Sequence, residues 1–110
     1  MKKAIIALDG GGSNLRMVVA DYDSEQPIYF NEVNTGTNLS TVPNRQEAIN
    51  NIQNLIIEGY ANLPEGYEIS GIGLSSAGTE IKQNRIDLEK SLQDATNRVK
   101  EKKANIKSNR

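Results

Sequence analysis

Short apolar runs separated by polar turns make up the first third of the chain. Residues 3–9 are almost continuously apolar and end in a carboxylate, which predicts a strand buried on both faces. Residues 15–21 are β-branched at their centre, so they predict a second strand that forms a hairpin with the first. Residues 28–34 predict a third strand by their alternation of side chains.

The next segment has helical periodicity and then returns to a strand pattern. Asn44 is expected to cap a helix, with Glu47 three residues later as in a capping box, and residues 63–66 end it. Residues 68–75 predict a fourth strand, in which two glycines weaken the apolar pattern and indicate a close backbone approach. The expected core positions of this helix are Ala48, Ile49, Ile52, Leu55, Ile56 and Tyr60.

A second helix is predicted from just after Thr79 to about residue 104. Its apolar positions step by seven, four, three and four residues, which is typical of one buried helix face. These positions are Ile81, Leu88, Leu92, Ala95 and Val99. The predicted order is therefore β-β-β-α-β-α, an α/β fold in one domain over residues 1–110, because no repeat or linker divides the chain.

Composition narrows the possible functions. Thirteen basic and 14 acidic residues give a net charge of -1, which argues against a nucleic-acid or anionic-membrane partner. Residues 98–110 hold six basic residues and one acidic residue, and we interpret them as a solvated helix end. The chain has no cysteine and no histidine, so its chemistry depends on carboxylates, hydroxyls, amides and backbone. The apolar run 4–8 is too short for a signal peptide or membrane span, which favours a cytoplasmic location.

Three successive glycines between the first two predicted strands are the strongest candidate for chemistry. Gly10, Gly11 and Gly12 allow positive φ and close ligand approach, and successive N–H groups in such a turn can bind an anion. Asp9 before them suits Mg²⁺, and Ser13 after them suits phosphate oxygens. The segment opens a strand and lacks a Gly-Lys-Ser/Thr ending, so it matches neither the dinucleotide fingerprint nor the P-loop. A plain hairpin turn is the alternative.

The segment from Asp9 to Arg16, Asp-Gly-Gly-Gly-Ser-Asn-Leu-Arg, resembles the first phosphate motif of the sugar kinase, Hsp70 and actin superfamily. Within it the chain is most similar to the N-acetylglucosamine kinase and BadF/BadG-type ATPase branch. The resemblance implies a ribonuclease H-like, actin-type ATPase lobe with a mixed sheet and an N-terminal β-hairpin. It also implies ATP and Mg²⁺ as cofactors, with Asp9 toward the metal. The expected phosphate-binding residues are Gly10, Gly11, Gly12, Ser13 and Asn14.

Two further loops resemble the substrate side of the same branch. Residues 35–38 are similar to a Ser-Thr-Asn stretch that contacts the sugar, which makes Asn38 a candidate, although an Asx turn is the alternative. Residues 73–79 resemble a Gly-Leu-Ser loop that lines the cleft, so Ser76, Gly78 and Thr79 are expected on the substrate side. A Thr79 that simply caps the following helix is the alternative here.

The resemblance implies that residues 1–110 are a truncated N-terminal lobe of a two-lobed sugar kinase, with the second lobe absent. Its catalytic base is then expected beyond Arg110, so no catalytic residue is assigned and this chain alone is expected to be inactive. The expected partners are a nucleotide, an amino sugar and the second lobe, and a homodimer stays open. Two alternatives remain, which are the activator ATPase of the 2-hydroxyacyl-CoA dehydratase system and a non-catalytic binding module of the same fold.

Overall fold

A computed structural model describes residues 1–108 and shows one mixed sheet with two helices. The elements are β1 (Lys2–Gly10), β2 (Leu15–Asp21), β3 (Pro27–Val33), α1 (Arg45–Ala61), β4 (Tyr67–Ser76) and α2 (Lys82–Ser108). The strands lie in the order β3-β2-β1-β4, with both hairpin pairs antiparallel and β4 parallel to β1. The predicted hairpin of the first two strands is confirmed, with Gly10 opposite Leu15 at its closed end.

The two helices pack with each other, and the core lies on one face of the sheet. On β1 the side chains of Ala4, Ile6 and Leu8 are buried, whereas Ile5 and Ala7 between them are only half-buried. The prediction that this strand is buried on both faces is therefore wrong. The prediction failed because a continuous apolar run shows that both faces of the strand are hydrophobic, but it does not show whether another layer packs against each face.

A bulge explains the irregular apolar spacing of β4. The parallel register with β1 shifts between Ala4, which pairs with Ile69, and Ile5, which pairs with Gly71. The extra residue brings Ile69 and Ile72, three positions apart, to the same side of the sheet, and both pack against the core. With the bulge counted, the apolar residues of β4 lie on one face of the sheet. The close backbone approach expected at its two glycines is wrong, because a Cβ on Gly71 or Gly73 would meet no atom within 4 Å.

The start of α1 is as predicted. The Asn44 side chain accepts a hydrogen bond of 3.0 Å from the backbone N–H of Glu47, so Asn44 is the N-cap. All six expected core positions of this helix are buried or pack against the core, and Gln53 is buried beside them.

Helix α2 begins later than the sequence predicts. Its first residue is Lys82, three positions after Thr79, so Thr79 does not cap it. Ile81 precedes the helix and is 46% exposed, which contradicts its predicted place in the core, while Leu88 and Ala95 are buried. The helix continues through the basic segment to Ser108, in agreement with a helix end, and residues 109–110 lie outside the described residues.

Hydrogen bonds fasten the outer strand to α1. The carboxylate of Glu58 accepts hydrogen bonds from the hydroxyl of Tyr29 and, at 2.9 Å, from the amide of Asn31. The bond to Glu58 raises the pKa of the Tyr29 hydroxyl, since a phenol that donates to a carboxylate holds its proton more tightly.

Across residues 1–108, neither helix is long and apolar enough to cross a membrane.

Candidate functional site

The Gly10–Ser13 turn closes the hairpin without a residue in the left-handed region. The N–H of Gly11 donates to the carbonyl of Asn14 at 2.9 Å and closes the turn. Among the described residues only Gly66 and Gly78 are glycines with positive φ, so the expectation of positive φ in this turn is wrong. Gly10 is instead required by a close contact, because a Cβ on it would lie 2.1 Å from the hydroxyl oxygen of Thr37.

The outer side of the same turn is open. A Cβ built on Gly11 or Gly12 would meet no atom within 4 Å, and both residues are exposed. They border a cavity of about 180 Å³ together with Asp9, Ser13, Asn14 and Arg16. The Ser13 hydroxyl makes no hydrogen bond among the residues described, so an anion in this cavity can accept its proton. Four of the five predicted phosphate residues, Gly11 to Asn14, border this cavity, whereas Gly10 faces Thr37 and does not.

The predicted sugar loop lies directly against this turn. Thr37 is fully buried, and its backbone N–H donates to the carbonyl of Gly11 at 3.2 Å. Gly36 is equally constrained, since a Cβ on it would lie 2.6 Å from the carbonyl oxygen of Gly12. Residues 36 and 37 therefore pack directly against the glycine turn.

The third predicted loop joins the other two through a pair of hydroxyls. The side-chain oxygens of Thr37 and Ser76 lie 2.7 Å apart, and the Ser76 hydroxyl is also within hydrogen-bond distance of the carbonyls of Thr37 and Ala77. The Thr79 hydroxyl donates to the carbonyl of Ser76 at 3.2 Å. Ser76 and Thr79 thus use their hydroxyl protons to shape the loop, and only their lone pairs remain for a ligand.

Asn38 and Gly78 lie in contact at the centre of this arrangement. Gly78 has φ +85°, and a Cβ on it would lie 2.2 Å from the Asn38 side-chain oxygen. That oxygen accepts the N–H of Ser40 at 3.0 Å, which is the Asx turn expected as the alternative. The amide nitrogen of Asn38 makes no hydrogen bond within residues 1–108, so it can donate to a ligand without breaking the turn.

Helix α2 holds the segment that follows Asn38 and the Ser76–Thr79 loop together. Asn84 is 3% exposed, and its amide donates to the hydroxyl of Ser40 at 2.9 Å and to the carbonyl of Gly78 at 3.0 Å. Its oxygen accepts a bond of 3.1 Å from Arg45, the first residue of α1, which also binds Asp87. The hydrogen bond from Arg45 is the main reason that the pKa of the Asp87 carboxyl is lowered.

The carboxylates present define what metal the site could hold. No group of three His, Cys, Asp or Glu side chains that could hold a metal ion occurs in the described part of the chain. Asp9 is an exposed single carboxylate beside the open turn. Mg²⁺ is commonly held by one carboxylate together with phosphate oxygens and water, so Asp9 fits that ion only with a phosphate bound.

Two residues central to the site were not predicted from the sequence. Thr37 is buried and contacts both other loops. Asn84 lies on a helix for which only apolar core positions were predicted, and its side chain donates hydrogen bonds to two loops. A polar residue on the buried face of a helical pattern is the sign that could have pointed to Asn84. Nothing in a polar stretch distinguishes Thr37 from its neighbours.

Comparisons with known proteins identify the fold. No protein-family model matches the chain, and no curated protein matches its sequence. The solved structure described as "Structural Study of the Aquifex aeolicus PPX-GPPA enzyme" is similar, with a TM-score of 0.54 and 12% identity over 87% of this chain. The chain spans 34% of that protein's length. At this identity the likeness concerns the fold alone, and it shows an α/β lobe compatible with the actin-like ATPases.

Proposed function

We propose that this chain is the phosphate-binding lobe of an ATP-dependent kinase with the actin-like ATPase fold, acting on an amino sugar such as N-acetylglucosamine. The observation that supports this most is the convergence of three separate loops at the hairpin end of the sheet. Thr37 links the glycine turn to Ser76, and Gly78 lies against Asn38. Three segments 25 to 65 residues apart in sequence are therefore in contact at this end of the sheet.

The glycine turn would bind the nucleotide phosphates. The open space over Gly11 and Gly12 admits phosphate oxygens to the backbone, and the hydroxyl of Ser13 adds one donor. Asp9 would hold Mg²⁺ with the phosphates. When bound, the ion neutralises charge on the transferred phosphoryl group.

The amide nitrogen of Asn38 would recognise a sugar hydroxyl. Its oxygen is already used by the turn to Ser40, so the geometry leaves a donor and not an acceptor. Ser76 and Thr79 would contribute lone pairs from the neighbouring loop. The second lobe of the whole protein would supply the adenosine contacts and the catalytic base, which is why we expect no phosphoryl transfer from this chain by itself.

Phosphate binding can be tested by NMR titration of the chain with ADP, with and without Mg²⁺. We expect shifts centred on residues 9–14 and weaker Mg²⁺-dependent binding for Asp9→Asn, by about tenfold, which is about 1.4 kcal/mol. Asp23→Asn is the matched control, because it removes an exposed carboxylate in the turn at the opposite end of β2. Equal affinities for both variants, or shifts that avoid the turn, would show that the proposal is wrong.

Sugar binding has its own pair of variants. Asn38→Asp keeps the oxygen that accepts from Ser40 but loses the free amide donor, whereas Ser40→Ala leaves that donor in place. We expect N-acetylglucosamine to shift residues 35–38 and 76–79 in the unmodified chain and in Ser40→Ala, and to lose this effect in Asn38→Asp. Sugar binding that survives Asn38→Asp would remove Asn38 from the site.

A further inference from the structure

Asn84 is a buried amide on α2 whose hydrogen bonds go to the neighbours of Asn38. Its nitrogen donates to the hydroxyl of Ser40 at 2.9 Å and to the carbonyl of Gly78 at 3.0 Å. Within residues 1–108 it makes no hydrogen bond to Asn38 itself. With 3% of its surface exposed, Asn84 is also too enclosed to contact a ligand. Any effect of Asn84 on the site therefore passes through those two neighbours.

The contact between Gly78 and Asn38 transmits the effect of Asn84. A Cβ built on Gly78 would lie 2.2 Å from the oxygen, 2.8 Å from the carbon and 3.4 Å from the nitrogen of the Asn38 side-chain amide. The whole amide group thus packs against the Gly78 backbone. The Gly78 carbonyl accepts hydrogen bonds from Asn84 and, at 3.3 Å, from the backbone N–H of Ile81. The surface that supports the Asn38 amide therefore depends on Asn84, and this dependence does not involve the Ser40 hydroxyl.

Arg45, the first residue of α1, determines which way the Asn84 amide points. One guanidinium nitrogen donates to the Asn84 oxygen at 3.1 Å and to the carbonyl of Leu39 at 3.2 Å. A guanidinium has only donors, so it selects the orientation in which the Asn84 oxygen faces Arg45 and the nitrogen faces Gly78. A flipped amide would place its nitrogen against the guanidinium and its oxygen against the Gly78 carbonyl, and both contacts would be repulsive.

The same arginine anchors the backbone next to Asn38. Leu39 follows Asn38 directly, its side chain is 5% exposed, and its carbonyl accepts from Arg45. The second guanidinium nitrogen of Arg45 forms an ion pair with Asp87, whose other oxygen accepts from Gln83 at 2.9 Å. Helices α1 and α2 are thereby joined at the point where they hold the two loops.

We propose that Arg45 and Asn84 are a positioning pair, which sets the place and direction of the free Asn38 amide donor for the sugar without contacting the sugar. The inference rests on the proposed function and adds two residues outside its three loops. A donor that is held in place before binding loses less conformational entropy on binding, so fixing it raises affinity. Neither residue forms a hydrogen bond with the glycine turn in the part of the chain described, so phosphate binding should not depend on the pair.

Asn84→Asp in the full chain tests the pair. The variant keeps an oxygen for Arg45 but loses the nitrogen that donates to Ser40 and Gly78. In NMR titrations we expect the affinity for N-acetylglucosamine to fall about tenfold and the affinity for ADP with Mg²⁺ to change less than about twofold. Asn97→Asp is the matched control, because it makes the same change at an exposed position of α2 and should leave both affinities unchanged.

Arg45→Lys is a second variant that changes the pair from a half-buried position, so it is expected to fold, which circular dichroism verifies. Lysine keeps a positive charge beside Asp87, but its single nitrogen cannot replace a planar guanidinium that serves three acceptors. We expect about threefold weaker sugar binding and unchanged ADP binding. In both variants, nuclear Overhauser contacts between the Asn38 side-chain amide protons and Gly78 should weaken even without sugar.

Three results would overturn the positioning role. One is sugar binding that both variants retain in full, which would leave the proposed function intact. Another is an equal loss of sugar and ADP affinity, which would indicate a general loosening of the fold. The third is an unmodified chain that binds no sugar, which would overturn the sugar assignment itself and this inference with it.

Discussion

Gly10 lies so close to Thr37 that a methyl group on the glycine would overlap the Thr37 side chain, with 2.1 Å between the added carbon and the hydroxyl oxygen. Thr37 cannot retreat, because it is fully buried and its hydroxyl lies 2.7 Å from that of Ser76. The first glycine of the turn is therefore fixed by packing, while its two successors face open space.

Gly10→Ala is expected to destabilise the fold by about 3 kcal/mol, at the upper end of the range for overpacking. Urea unfolding followed by circular dichroism measures the change. Gly11→Ala is the control, since its Cβ meets nothing within 4 Å and we expect a change within about 0.5 kcal/mol. Similar losses for the two variants would contradict the packing explanation.

Gly78 and Gly66 separate two costs of replacing glycine. Both have positive φ, +85° and +86°, but only Gly78 has a neighbour in the way, namely the oxygen of Asn38 at 2.2 Å. Gly66→Ala should therefore lose about 1 kcal/mol from backbone strain, and Gly78→Ala should lose about 2 kcal/mol more from the clash. Thermal unfolding of both variants gives the comparison. An equal loss of stability would mean that the Asn38 loop moves away from the added methyl group without a free-energy cost.

Asn84→Ala should cost about 2 to 3 kcal/mol, although alanine is the better helix former. The variant leaves the buried carbonyl of Gly78 without its side-chain donor and removes the acceptor of Arg45. Gln83→Ala on the same turn of α2 removes only an exposed bond to Asp87, and we expect less than about 0.5 kcal/mol. Guanidinium unfolding of the two variants under the same conditions shows whether the hydrogen bonds from Asn84 to the two loops contribute to stability.

Asp21 makes stability depend on acid pH. Its carboxylate accepts the backbone N–H groups of Ser24 and Asp23 and the hydroxyl of Tyr67, and these bonds, the one from Ser24 foremost, lower its pKa to about 2 from 3.8. A carboxyl whose folded pKa is depressed stabilises the fold fully above pH 3.8, and this contribution is lost as the pH falls toward 2. Urea midpoints between pH 5 and pH 2 should therefore fall more steeply for the unmodified chain than for Asp21→Asn.

The same bond acts on the phenol at high pH. Donation to Asp21 raises the pKa of Tyr67 above 10.0, so Asp21→Asn should shift part of the tyrosine titration, followed by absorbance near 295 nm, to lower pH. An unchanged titration curve would mean that the two side chains are apart in solution.

Sequence periodicity was sufficient for the elements that depend on local patterns. The hairpin of β1 and β2, the Asn44 cap and the apolar face of α1 follow from spacing and turn chemistry, which act over a few residues. The start of α2 was placed too early, because the Ser76–Thr79 loop continues to Ile81 through its own hydrogen bonds.

Contacts between distant residues were beyond the reach of the pattern. The family resemblance pointed to three loops, but the contact of Gly10 with Thr37 spans 27 positions and that of Asn38 with Gly78 spans 40. Which hydroxyl is used inside a loop and which side of a strand stays uncovered also depend on neighbours that only the folded chain supplies. Periodicity therefore predicted the strands and helices. Tertiary packing determined which hydrogen-bond donors in the loops remain free.

The hydrogen-bonded hydroxyls of Thr37 and Ser76 have a thermodynamic consequence for any ligand. The pair joins the loop after β3 to the end of β4, and the backbone N–H of Thr37 ties the same loop to the turn after β1, so movement of one loop is coupled to the others. The conformational entropy of ordering them has already been lost during folding, and a ligand that binds there does not lose it again. Loosening this pair, for instance by Thr37→Val, should therefore weaken binding mainly through entropy, with the ligand's own contacts unchanged.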